Sequence, residues 1–103
     1  MENDYVLRYL PRFEEELTDI VNYITYTLEN PSAAENLIDD VEKAIIKRLN
    51  TPLSYEPCRS VYDREHDYYR IYVKNYVVYY VVIENVMEVR RIVYGKRDRE
   101  RLV

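Results

Sequence analysis

A chain of 103 residues has room for one modest hydrophobic core and not for two, so a single domain over residues 1–103 is expected. Its residues are 48% apolar and 33% charged, the balance of a globular chain rather than a disordered one. A net charge of −4 leaves little long-range attraction for a polyanion, the lone Cys58 excludes an internal disulfide and a cysteine-based zinc site, and no apolar run approaches the roughly 20 residues of a bilayer span.

The chain opens on acidic Met1-Glu2-Asn3-Asp4 where a signal peptide would be basic, so the expected address is the cytoplasm, with no membrane partner. "DYVLRYLP" alternates around β-forming residues and stops at Pro11, which predicts a first strand. Pro11 can open a helix, where its missing N–H costs nothing. Phe13, Leu17, Ile20, Val21, Ile24 and Leu28 then recur at helical spacing, and Glu14, Glu15, Glu16 and Asp19 fall in or near the first turns, where the helix dipole favours acids. This helix is predicted to end near Glu29-Asn30-Pro31.

Ser32 and Glu35 stand at capping-box spacing, and Ala34, Leu37, Ile38, Val41, Ile45 and Leu49 supply the stripe of a second helix ending at Asn50-Thr51-Pro52. So short a link makes the two helices an antiparallel hairpin. Thr51 to Asp67 lacks periodicity and is expected as a loop, with Ser60-Val61-Tyr62 a candidate short strand. "YYRIYVK", "YVVYYVVI" and "VMEVRRIVY" are β-branched and aromatic and are separated by Lys74-Asn75 and Glu84-Asn85, where asparagine suits the positive φ of a tight turn. The expected architecture is α+β in the order β-α-α-β-β-β: an antiparallel helical hairpin packed on one face of a roughly four-stranded, mainly antiparallel sheet. Val78 and Val82 are expected to share the core with Leu17, Ile24, Leu37 and Val41.

Charge divides unevenly. Met1 to Pro57 holds 5 basic and 12 acidic residues, while Cys58 to Val103 holds 10 basic and 7 acidic, so the second half is the one suited to phosphates or an acidic partner. Thirteen tyrosines crowd the chain. On the meander Tyr69, Ile71 and Val73 share one face and Arg70, Tyr72 and Lys74 the other. A ring beside a guanidinium, as Tyr72 beside Arg70, is suited to stacking on a nucleobase, and tyrosine equally suits a half-wet sheet. Lys96, Arg97 and Arg99 make either a patch for phosphates or a partner protein or a solvated tail. No glycine-rich phosphate loop is available with Gly95 alone, and no paired-histidine or Cys-His spacing points to a metal.

Four stretches carry a likeness: "YLPRFEEELTDIVNYI", "AAENLIDDVEKAIIKRL", "YYRIYVKNYVVYYVV" and "VRRIVYGKRD". In this order and at this length the chain resembles the RelE/ParE superfamily, the toxins of type II toxin–antitoxin and plasmid-stabilisation modules. The resemblance implies a toxin neutralised by a cognate antitoxin, with no cofactor and with one of two targets. RelE-like members cut ribosome-bound mRNA in the A site without a metal; ParE-like members act on DNA gyrase and are not known as nucleases. A third reading is a catalytically inactive member kept as an antitoxin-binding or regulatory module. The oligomeric state is left open.

Metal-free RNA cleavage needs a group to deprotonate the 2′-OH, cations for the phosphorane and an acid for the leaving oxygen. The resemblance assigns these jobs, in RelE, to lysines and arginines on the sheet and a tyrosine in the tail. Aligned through "GKRD", Arg97 matches one of those arginines, Arg70 takes the place of a lysine, and Arg91 stands where the superfamily commonly has arginine. The central-strand arginine falls at Val77 and the tail tyrosine at Val103, leaving two cleavage roles without a holder. His66 is the candidate substitute base, weighed against an exposed loop residue in "YDREHDYYR". Arg90 is expected to point opposite to Arg91 along the strand, one of them near the working face and the other paired with Glu88 or a helix acid.

Overall fold

The computed structural model describes residues 4–58 and 65–95. Its elements follow the predicted order: β1 (Val6–Tyr9), α1 (Pro11–Asn22), α2 (Pro31–Arg48), β2 (Tyr69–Val73), β3 (Tyr76–Ile83) and β4 (Val86–Tyr94). The fold is the expected α+β arrangement, two helices on one face of a four-stranded sheet. The candidate strand Ser60-Val61-Tyr62 lies outside the described residues. No helix among the described residues is long and apolar enough to cross a membrane.

Pro11 opens the first turn of α1, and Phe13 is buried two residues on, in the same turn. The helix does not end as one regular stripe, because Tyr23–Thr27 widen into a π-helical turn. Such a turn adds a residue per hydrogen-bonded ring and shifts the stripe out of phase. Ile24 stays buried while Leu28, the last member of the predicted stripe, is 54% exposed. Glu29 then reverses the chain at φ 53°. The cap of α2 also differs from the predicted capping box. Asn30, not Ser32, is the N-cap, its side-chain oxygen accepting the Ala33 N–H at 3.2 Å, with Pro31 opening the first turn. Asparagine caps as well as serine, and proline at the first helical position fixes the start upstream.

The sheet order is β1-β4-β3-β2. The two hairpins are antiparallel, and their turns take the positive φ at Lys74 (53°) and Glu84 (58°), the residues before the asparagines expected to hold it. β1 runs parallel to β4, from Val6↔Val86 to Tyr9↔Val89, so the last strand of the chain lies between the first and the third. Between β3 and β4 the register shifts: Tyr79 pairs with Arg91 but Tyr80 with Val89, leaving Arg90 as the extra residue of a β-bulge.

Two apolar clusters result. Phe13, Leu37, Val41 and Ile45 of the helices bury against Ile71, Val78, Tyr80, Met87, Val89 and Ile92 of the sheet, with Leu17 and Val82 packed at the margin. The opposite face carries a smaller cluster of Tyr68, Val77, Tyr79 and Val81. Just before β2, Tyr68 forms a two-way backbone bridge with Cys58, which brings the loop before it back to the sheet edge.

Candidate functional site

The second face of the sheet is where the meander's polar side chains gather, on either side of the apolar strip of β3. Its centre is Val77, 1% exposed, at the position where the mRNA-cleaving relatives are expected to carry arginine. On the β4 side Glu88 is buried and held by two guanidinium groups. Arg8, its register partner on β1, approaches through Nη1 at 3.3 Å, and Arg90 donates through Nε at 2.9 Å. Arg90 Nη1 also donates to the Tyr68 hydroxyl at 2.8 Å. Burial works to lower the pKa of Arg90, but the bonds to Tyr68 and Glu88 outweigh it and hold the guanidinium above its ordinary value. A desolvated carboxylate flanked by two such donors is satisfied rather than reactive.

On the β2 side Arg70 donates through Nε to Cys58 Sγ at 3.4 Å and through Nη1 to the Tyr72 hydroxyl at 3.0 Å. The bond to Cys58 is the main reason that Arg70 also sits above its ordinary pKa, with Tyr72 adding to it against the opposing effect of burial. Arg70 and Arg90 therefore stay charged at any physiological pH; they can attract an anion but cannot donate a proton in a catalytic step. Tyr72 is 66% exposed and presents its ring to solvent, whereas Tyr79 on the neighbouring strand is buried.

The bulge sends Arg91 elsewhere. Arg91 Nε and Nη2 donate to Glu16 Oε2 of α1 at 2.9 and 2.6 Å, while Glu16 Oε1 accepts the Ile92 N–H at 3.0 Å. Arg90 and Arg91 part as expected, each taking one of the two predicted kinds of partner, but simple alternation is not the reason. Val89 and Ile92 both enter the helix-side core, and the two arginines fill the extra length between them. Of the expected site residues, Arg70, Tyr72 and Arg90 thus share the second face, and Arg91 lies at the edge of β4 against α1. His66 is half-buried just ahead of the Cys58–Tyr68 bridge. Lys96, Arg97, Arg99 and Val103 lie outside the described residues.

Arg48, at the end of α2, was not singled out from the sequence, yet it fixes the site's outer strand. Its Nη1 donates to the Arg70 carbonyl at 3.1 Å and to the Tyr80 hydroxyl at 2.9 Å, and its guanidinium carbon lies 3.5 Å from the centroid of the Tyr55 ring. Tyr80 in turn donates to the Pro52 carbonyl at 2.7 Å. Burial raises the Tyr80 pKa, and Arg48 partly offsets that rise. A basic residue in the last turn of an amphipathic helix signals only a favourable dipole; its long-range partners are invisible in one sequence.

A groove of about 720 Å³ opens between the π-turn and the end of β4, with Asp19, Ile20, Tyr23, Leu28, Tyr76 and Tyr94 on its walls. Among the described residues, no three or more histidine, cysteine or carboxylate side chains gather where they could hold a metal ion.

Residues 7–99 match the model of the family described as the ParE toxin of the type II toxin–antitoxin system parDE. No curated protein sequence matches. Among solved structures, the chain is similar to one from the chromosomal ParDE toxin–antitoxin system of P. aeruginosa, with a TM-score of 0.69 at 14% identity, over 90% of this chain and 98% of that one. At that identity the likeness concerns the fold. The family match spans both helices, the sheet from the second residue of β1 onward and every described arginine of the site, and on it the chain belongs to the ParE toxins of type II toxin–antitoxin systems.

Proposed function

We propose that this protein is a growth-inhibiting toxin acting in the cytoplasm, held inactive by a cognate antitoxin, and that its target is DNA gyrase rather than ribosome-bound mRNA. The observation that carries the choice of target is the second face of the sheet. Its central strand offers the buried, apolar Val77 where a phosphate-binding cation would be needed. The cations beside it are engaged in pairs with Glu88, Tyr68, Cys58 and Tyr72. Losing a single positioned electrostatic or acid–base group costs about 10²–10⁴ in rate, so a chain with two such roles unfilled, at Val77 and Val103, is a very poor nuclease. A partner protein asks less of it: exposed Tyr72 beside the paired charges suits a protein surface. The structural similarity to a ParDE system supports a co-produced antitoxin.

The experiment is to induce the protein alone and together with the antitoxin from its neighbouring reading frame, then to add purified protein to a gyrase supercoiling reaction and to a translation reaction in which mRNA 5′ ends are mapped. Growth arrest relieved by the antitoxin, with blocked supercoiling and intact mRNA, is expected. Strong A-site cuts lost in His66→Ala or Arg91→Ala would place the protein with the mRNA-cleaving branch. Normal growth with soluble protein would make it a regulatory, inactive member.

A further inference from the structure

We propose that the outer edge of β1 pairs with the same edge of a second copy of this chain, the two strands running antiparallel about a two-fold axis at Val6. β1 is an end strand, and β4 is its only neighbouring strand among the described residues. The Val6 N–H donates to the Asn85 carbonyl at 2.7 Å and the Leu10 N–H to the Val89 carbonyl at 3.0 Å, so Val6, Arg8 and Leu10 turn their backbone groups to β4. By alternation Tyr5, Leu7 and Tyr9 turn theirs to the open side. None of the three has a backbone hydrogen-bond partner there among the described residues. An edge left open in this way is a template for another strand.

The order of side chains selects a second copy as the occupant. Centred on Val6, an antiparallel pair sets Val6 against the partner's Val6, Asp4 against the partner's Arg8 and Arg8 against the partner's Asp4. These three side chains alternate onto the second face of the sheet, and all three are exposed, Val6 at 52%. Asp4 has no ion-pair partner among the described residues. Arg8 meets Glu88 through Nη1 with its side chain 57% exposed, so it has room for a second carboxylate. Pairing thus extends the row Arg90, Glu88, Arg8 by one opposite charge on each side of the axis and closes an apolar contact between them. Tyr5 falls opposite the partner's Leu7, both with outward backbone groups, where the hydrogen bonds of the new ladder form. α1 packs on β4 rather than over β1. The two copies of β4 then lie three strand spacings apart, about 14 Å, which leaves α1 and its copy clear of one another. The pairing joins two four-stranded sheets into one of eight.

So short an edge is far smaller than the roughly 20–30 residues a side of a standard interface, so the dimer is expected to be weak, with a Kd of about 10–300 µM. The test is sedimentation velocity on the intact protein from about 10 µM to 1 mM. Val6→Lys places two cations on the axis, and Asp4→Arg sets arginine against the partner's Arg8. Each is expected to weaken association by about tenfold or more, with the melting temperature of dilute protein unmoved at such exposed positions. Val6→Cys is expected to cross-link under mild oxidation, because the Cα atoms of such a pair are about 4.5 Å apart, within disulfide range; wild type, whose one thiol is Cys58, is the control. A wild-type protein that stays monomeric throughout overturns the proposal. Association that either charged variant leaves intact assigns the contact to another surface and also overturns it. Weakened association without a cross-link beyond that of wild type overturns the register centred on Val6.

Discussion

The two faces of the sheet hold themselves together by different means. The helix face is dry: Leu37, Val41 and Ile45 interlock with Val78, Met87, Val89 and Ile92, all at 2% exposure or less. The second face buries a narrower apolar strip, Val77, Tyr79 and Val81, and surrounds it with Arg8, Glu88, Arg90, Tyr68, Arg70 and Tyr72, bound to one another by directional contacts. Area removed from water makes the first face insensitive to direction and sensitive to volume. The second face is the reverse. The difference separates residues that specify the fold from those that shape a surface another molecule can use.

The sharpest way to break that contrast is to empty the helix face. Leu37→Ala should cost about 2–5 kcal/mol in denaturant unfolding, since the side chain is 2% exposed and packs between helix and sheet. A loss within measurement error would remove Leu37 from the core. Glu88→Ala comes next, at about 1–3 kcal/mol, because it strands the Arg90 guanidinium against a buried surface. Salt separates the contributions: the buried Glu88–Arg90 pair is little screened, so the gap between wild type and Glu88→Ala should narrow only by the part that half-exposed Arg8 carries, and that between wild type and Leu37→Ala should not change.

Alkaline pH probes the tyrosines of the helix face. Burial raises the pKa of Tyr80 above its ordinary 10.0, and those of Tyr69 and Tyr76 likewise. The folded state then holds these protons more tightly than the unfolded state does. The associated stability is whole below about pH 10 and is lost as pH rises through the folded values. Tyr80→Phe should flatten part of that decline and cost about 1 kcal/mol near neutrality, through the bonds to Arg48 and Pro52. A pH profile unchanged by the substitution would clear Tyr80 of this role. The smallest effect on folding is expected from Tyr72→Ala, within about 0.5 kcal/mol at so exposed a position. On the gyrase reading it should nonetheless weaken inhibition of supercoiling, which would separate surface function from fold within one residue.

What was legible in the sequence is what repeats locally. Helical spacing from Phe13 to Ile24 and from Ala34 to Ile45, and alternation from Tyr69 to Val73, predicted the buried residues because each neighbour's position follows from the backbone period. What was not legible depends on a second segment or on competing local options. The spacing of Ser32 and Glu35 marked a cap, but Pro31 opens the helix earlier and Asn30 takes that place. Arg8 meets Glu88 only through the parallel pairing of β1 with β4, for which neither strand carries a marker. The arginines Arg90 and Arg91 looked like an alternating pair, and the bulge that assigns them separate partners arises from the mismatch with Tyr79 and Tyr80 across the hairpin. The family likeness covered Arg70 and Arg91 as candidates, but not the ties to Cys58 and Glu16 that determine what each can reach.

The position of β1 has a consequence for how the molecule is made. Its partner strand is the last to be synthesised, and Arg8 and Glu88 lie 80 residues apart in the chain. At about 5–20 residues per second, the first strand waits on the order of 4–16 seconds on the ribosome before a partner exists for it. Throughout that interval the helical hairpin is complete while the sheet it must cover is not. The sheet acquires its finished surface only once β4 has been made, so truncation before β4 should release an aggregation-prone fragment rather than a weaker form of the protein.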